Sequence, residues 1–305
     1  MPEIRNIDII KELFIYFLIA ATIIFLLVVF YTVFYSWKYR NKGVAGEPEQ
    51  IHENRKFELW MIGISLALVF GFFIYSLKGM NKIQDIPSHP NPDITIIGHQ
   101  WWWEARYSDG DIVTANEIHV PAGKKILLKL NSADVIHSWW IPKLGRKMDL
   151  MPGYDNYLWL FAQDPGEYVG SCSEFCGAQH AWMKIRLIAE KQEDFEEWKT
   201  QQLRGSTRVQ GEDSLITKGK RLFDTKTCTN CHAVHATEAL PNIGPNLAHF
   251  ASRKYFLSNI KKNNEKNLKA WLTNPQQVKS SANMPNMALT DKEVGQLTHY
   301  LQSLK

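Results

Sequence analysis

The sequence predicts three parts in series: a two-helix membrane hairpin, an all-β sandwich and an all-α C-terminal domain. Three observations predict this order. Two uncharged apolar stretches fall near the N-terminus, short strand-like runs alternate with turns from Asn91 to Thr200, and helical patterning takes over beyond Gly211. At 305 residues the chain is long enough for two folded domains and a membrane part. The boundaries are expected at 1–90 for the hairpin, 91–200 for the sandwich, 201–213 for a linker and 214–305 for the helical domain.

Leu13 to Trp37 is apolar throughout, with tyrosines its only titratable groups, and exceeds the roughly 20 residues needed to cross a bilayer. Leu59 to Leu77 is likewise uncharged and ends in aromatic residues suited to the interface. Both are predicted to span the lipid bilayer. The loop between them carries Lys38, Arg40, Lys42, Arg55 and Lys56, against Arg5 and Lys11 in the N-terminal tail. Positive charge stays on the cytoplasmic side, so both termini and both globular parts are expected on the periplasmic or outer side of a prokaryotic inner membrane. The first apolar run is too long for a cleaved signal peptide and reads as an uncleaved anchor.

Asp85 to Asp93 (DIPSHPNPD) is proline-rich and suits an extended linker. The runs ITIIG, EIHVPAG, KKILLKLNS, DNYLWLFAQDPGEYVG and KIRLIAE then read as strands of an antiparallel sandwich or barrel. Gln201 to Asp213 is polar and reads as a second linker. In the last part, Thr290 and Glu293 form a capping box ahead of Val294, Leu297, Leu301 and Leu304 at helical spacing. The net charge of +4 gives no sign of a nucleic-acid partner. Locally the balance is uneven: residues 91–200 hold 11 basic against 16 acidic side chains, residues 211–305 hold 13 against 7. The two parts could therefore attract each other, or each an oppositely charged visitor.

Cys228-Thr-Asn-Cys231-His232 is a C-x-x-C-H, the attachment signature of a c-type heme. Two thiols bond to the porphyrin edge and the next residue brings its imidazole under the iron. Zinc would need a second ligand pair, and a thioredoxin-like pair would need a βαβ neighbourhood. A low-spin electron-transfer heme takes a second axial ligand, and methionine raises its potential. Met284 and Met287 compete; Pro285 would stiffen the loop beside Met284, which favours it.

Gly170 to Met183 (GSCSEFCGAQHAWM) crowds Cys172, Cys176, His180 and Met183 together. A disulfide would leave the histidine and methionine unexplained. Thiolate, imidazole and thioether together suit copper better than zinc. A mononuclear blue-copper site needs one cysteine and two histidines, so two cysteines extend it to a pair of coppers bridged by two thiolates. His137 in DVIHSWWIP is placed to supply the missing imidazole.

With DVIHSWWIP and GHQWWWE, the CSEFCGAQHAWM stretch resembles the CuA subunit, subunit II, of cytochrome c oxidases, over about Ile4 to Thr200. GKRLF, CTNCH, IGPNL and NMP resemble class I cytochrome c over the last part, and the two together are similar to the fused subunit II of caa3-type oxidases. The resemblance implies a cupredoxin-like sandwich and a binuclear CuA held by His137, Cys172, the backbone carbonyl of Glu174, Cys176, His180 and Met183. It implies a magnesium ion at the Glu174 carboxylate, Pro245 supporting the proximal His232, and Trp101 as the point where electrons reach CuA. Glu58 is the candidate entrance of a proton pathway, although it stands two residues before Trp60 where the family has three. The implied function is a non-catalytic electron-input subunit. It would pass electrons from a cytochrome c or a quinol-oxidising complex, through heme c and CuA, to an oxidase subunit I that reduces oxygen to water and pumps protons. Further oxidase subunits would be its partners. A CuA subunit of a nitric oxide reductase, or an electron-transfer module of another respiratory complex, is the alternative.

Overall fold

The computed structural model describes residues 6–40, 53–108, 112–204, 215–235 and 243–305. Arg5, Lys42 and linker positions 205–213 lie outside the described residues. The chain divides into two units, Met1–Asp85 and Ile86–Lys305.

The first unit is a helical hairpin of α1 (Asn6–Lys38) and α2 (Arg55–Ile83). At 1.5 Å per residue both exceed the roughly 30 Å of a bilayer's hydrocarbon core. Their most apolar windows average hydropathies of 3.0 and 2.1 and are not buried by protein, which makes both long and apolar enough to cross a membrane. Thr22, Thr32 and Ser65 turn their hydroxyls back onto the carbonyls of Leu18, Val28 and Met61, so these polar atoms are satisfied within the helix, as lipid would require. Edge-on ring pairs Tyr16–Tyr75 and Phe17–Phe72 join the helices. Asn54 caps α2 by accepting from Phe57 N.

The second unit begins with a ten-stranded sandwich. Its strands are β1 (Ile94–His99), β2 (Trp102–Tyr107), β3 (Val113–Ala115), β4 (Glu117–Pro121), β5 (Lys125–Ser132), β6 (His137–Trp140), β7 (Met148–Leu150), β8 (Asn156–Phe161), β9 (Gly166–Cys172) and β10 (Lys184–Glu190). One sheet has the order β3-β2-β1-β5-β8, the other β4-β10-β9-β6-β7. The antiparallel expectation needs correction, because β1 pairs with β5 and β10 with β4 in parallel. Strand-to-strand hairpins dominate the turn signals; crossovers between sheets leave no local mark. Ile96, Trp103, Ile118, Leu128, Leu130, Trp139, Ile185 and Leu187 fill the space between the sheets. Trp103 meets Trp139 edge-on at 5.2 Å.

A helix, α3 (Gln192–Leu203), follows β10 and runs past the predicted start of the linker at Gln201. Phe195, Trp198 and Gln202 share one of its faces; Trp198 stacks on His119 at 4.4 Å and Phe195 packs toward Tyr107. Polar composition hid this amphipathic turn.

The C-terminal part contains α4 (Leu215–Thr225), a two-stranded β11 (Tyr255–Phe256) and β12 (Lys261–Lys262), α5 (Glu265–Thr273), the short α6 (Pro275–Val278) and α7 (Asp291–Ser303). The α7 helix opens on the Thr290–Glu293 capping box, with both reciprocal bonds formed. It crosses α4 at Gly219, where a Cβ would sit 2.1 Å from the Gln296 carbonyl. Phe223, Leu268, Val294, Leu297, Tyr300 and Leu301 form this domain's own core.

Candidate metal centre and adjoining cavity

The end of β9 and the loop after it bring the sulfur ligands together. Cys172 closes β9 opposite Trp139 of β6, and its N–H donates to Met183 O at 2.9 Å, which folds the intervening loop back on itself. His137 starts β6, two residues from that register point. Cys172 Sγ therefore lies 3.9 Å from His137 Nδ1, 3.8 Å from Cys176 Sγ and 3.3 Å from Glu174 O. Cys176 Sγ lies 3.7 Å from His180 Nδ1 and 3.9 Å from Met183 Sδ. Two ligands at about 2.3 Å from one ion, at a tetrahedral angle, are about 3.8 Å apart, so these spacings fit metal-bridged sulfurs. The His137, Cys172 and Cys176 donor atoms fall within 4.8 Å of one another and all three residues are buried.

The surroundings prepare these atoms for a cation. Asp134 Oδ1 accepts from His137 Nε2 at 2.8 Å, which leaves the Nδ1 lone pair facing the sulfurs. Burial opposes ionisation of Asp134, but bonds from His137, Gln100 N and Val135 N outweigh it and hold the carboxyl below its usual range. The hydrogen bond from Cys176 pulls Cys172 down to about 3, and donating that bond, together with burial, holds the Cys176 thiol up. A metal binding both sulfurs would displace the proton that Cys176 holds.

Above the loop sit Gln100 and Trp101, in the turn between β1 and β2. Gln100 Nε2 and Trp101 Nε1 both donate to Cys176 O, at 2.7 and 2.9 Å. Gly177 lies beneath them with φ of +112°, and a Cβ there would meet Trp101 at 3.0 Å. Only glycine suits both the backbone and the space.

A second site opens in the helical domain as a largely apolar cavity. Cys228, Cys231, His232, Pro245, Met284 and Met287 all line it. His232 Nδ1 is 2.8 Å from Pro245 O. A carbonyl only accepts, so Nδ1 carries the proton; burial pushes the ring's pKa down and keeps it neutral, leaving Nε2 with a free lone pair. Two thiols at attachment spacing, a neutral imidazole, two thioethers and an apolar wall fit a covalent heme. Met284 packs against the domain core, and its carbonyl accepts from Gln276 Nε2 at 3.2 Å.

Glu174 is exposed on the loop between Cys172 and Cys176, beside Phe175, which is 76% exposed. Glu58 lies in the first turn of α2, in the other unit. Gln100, Lys279, Ser258, Asn259 and Asn283 carry no role in the sequence reading, yet they join the two sites. Their acceptors are main-chain carbonyls, and main-chain carbonyls have no sequence signature.

Comparison with known proteins adds the following. The family model described as cytochrome C oxidase subunit II, periplasmic domain, matches residues 110–190, and that described as cytochrome c matches residues 216–305. The chain is 32% identical to cytochrome c oxidase subunit 2 of Alkalihalophilus pseudofirmus over 88% of its own length and 79% of the relative. For the subunit 2 proteins of Bacillus sp. (strain PS3) and Bacillus subtilis the identities are 30% and 29%, over 87% and 91% of this chain and 79% and 83% of theirs. With the paired cysteines in the first matched region and the C-x-x-C-H cavity in the second, the chain belongs to the cytochrome c oxidase subunit 2 family, as a member that carries a cytochrome c domain.

Proposed function

We propose that this subunit II of a heme-copper oxidase takes electrons at the C-terminal cavity and passes them through the paired-cysteine site to the catalytic core. The observation that carries the proposal is the cage itself: His137, Cys172, Cys176, His180 and Met183 in mutual ligand spacing, in one unit with a C-x-x-C-H cavity. Bound there, a copper pair and a covalent heme c supply one-electron redox chemistry. Cys172, Cys176, His137, His180, Met183 and the Glu174 carbonyl would hold the coppers. Cys228 and Cys231 would anchor the porphyrin, and His232 and Met284 would hold its iron. Asp134 and Pro245 orient the two imidazoles, and the buried sandwich holds the cage rigid, so little rearrangement accompanies a change in charge.

Partnership with other oxidase subunits follows from the family. Trp101 over Cys176 O supports its role as the point where electrons reach the copper site. The exposed Glu174 carboxylate, next to Phe175, would face subunit I and hold a magnesium ion there, and Glu58 would open a proton pathway. A cytochrome c or a quinol-oxidising complex would be the outside donor. The two apolar helices support a place in a prokaryotic inner membrane with both globular domains on the periplasmic side. The relatives are named as oxidase subunits, which favours oxygen over nitric oxide as acceptor. Turnover of the purified complex tests this: oxygen uptake is expected, and nitric oxide reduction without oxygen uptake would overturn it.

A further inference from the structure

Gln100 touches both sites at once. Its side chain donates to Cys176 O at 2.7 Å, its N–H donates to Asp134 Oδ2 at 2.6 Å, and its own carbonyl accepts from Asn283 Nδ2 at 2.8 Å. Asn283 is the residue before Met284. A run of covalent bonds with only two hydrogen bonds in it therefore links the Met284 loop to a sulfur ligand of the copper site. The neighbouring Trp101 shares this start, because its N is bonded to the Gln100 carbonyl carbon and its ring also reaches Cys176 O, so the second leg has two branches; the Trp101 carbonyl itself accepts from Ser258 Oγ at 2.5 Å and Lys279 Nζ at 3.4 Å. Asn259 Nδ2 bonds Asn116 O at 3.0 Å and completes the seat.

We propose that Asn283 and Gln100 form a serial hydrogen-bonded bridge that carries electrons from the Met284 side of the heme cavity to Cys176, while Ser258, Asn259 and Lys279 hold the domains in register. The proposal rests on the reading of the two sites given above. Electrons tunnel more readily through bonds than across van der Waals gaps. In each event the iron side loses one electron and the copper side gains it; no bond forms or breaks and no proton moves. The roles are distinct: Gln100 and Asn283 supply the path, and the other three act by positioning.

The test uses the full-length subunit in its oxidase complex, with internal heme-to-copper transfer followed optically after photoreduction. Asn283→Leu cuts the shared first leg while keeping the shape, and Gln100→Leu cuts one branch of the second. Asn283→Leu is expected to slow transfer about tenfold and Gln100→Leu by less, and because electrons take whatever slower route remains once the first leg is cut, the double variant should be no slower than Asn283→Leu alone, whereas independent effects would multiply. The heme spectrum and potential and the copper near-infrared band should stay unchanged in Asn283→Leu. Hydrogen exchange over residues 98–103 gives a readout independent of electron flow, and its protection should persist in that variant. Parental transfer rates in Asn283→Leu, multiplicative losses in the double variant, or slowing accompanied by lost protection would each overturn the bridge and leave the functional reading intact. Absence of heme-to-copper transfer in the parent chain would overturn both.

Discussion

Cys172 and Cys176 face each other at 3.8 Å in a buried loop, so the state of one sulfur sets that of the other. In the proposed copper site, replacing either would remove a shared ligand. Cys172→Ser should therefore abolish the copper near-infrared band and leave the heme Soret band in place; a retained band would refute the ligand set. In the other site both Met284 and Met287 line the cavity, but Met284 alone follows the residue tethered to Gln100. Met284→Ala should lower the heme potential and alter its spectrum and Met287→Ala should not, as read by redox titration. Most of this was legible in the sequence, since Cys172 to Met183 and Cys228 to His232 are local motifs whose spacing is set by one loop or one turn. His137 comes from β6, and only its sequence context nominated it. Asp134 and Pro245 act through hydrogen bonds that need the folded geometry to be seen.

Among the elements, α7 owes its start to Thr290 and Glu293. The Thr290 N–H, then Lys226 at 3.0 Å, hold the Glu293 carboxyl down to about 2 from an ordinary value near 4.5. A carboxylate with a depressed folded value stabilises above the unfolded value and loses that contribution as pH falls through the folded one. The cap should therefore be intact above about pH 4.5 and fail toward pH 2, and Glu293→Gln should flatten that dependence in hydrogen exchange of the first turn. Gly219→Ala would push α4 off the Gln296 carbonyl and should cost about 1–3 kcal/mol of domain stability by thermal melting. Capping boxes and apolar periodicity made α7 and the two spans readable. By contrast, α3 was missed because only Phe195, Trp198 and Gln202 mark its buried face. The parallel pairing of β1 with β5 was missed because it depends on chain crossings.

For the molecule as a whole, the seam between sandwich and helical domain rests largely on neutral donors meeting carbonyls. The uneven charges of the two parts suggested mutual attraction, and among the described residues Lys254 pairs with Glu167 across the seam at 3.6 Å, Arg186 lies over the Tyr255 ring and Arg253 is attracted to the buried Glu117. The Lys254–Glu167 pair is partly exposed, contributes little and is screened by salt, whereas buried contacts are screened much less. Internal electron transfer should thus change less than about twofold between low and physiological ionic strength, while reduction by an added soluble cytochrome should respond steeply. The seam was invisible in the sequence, because the donors Ser258 and Asn259 come from consecutive left-handed residues that no propensity favours. Gln100 and Trp101 close over the loop whose cysteines are buried, and the helical domain is bonded onto that closure. A metal entering the cysteine pair from this side would have to do so before the helical domain seats, and the seated domain would then stand over it.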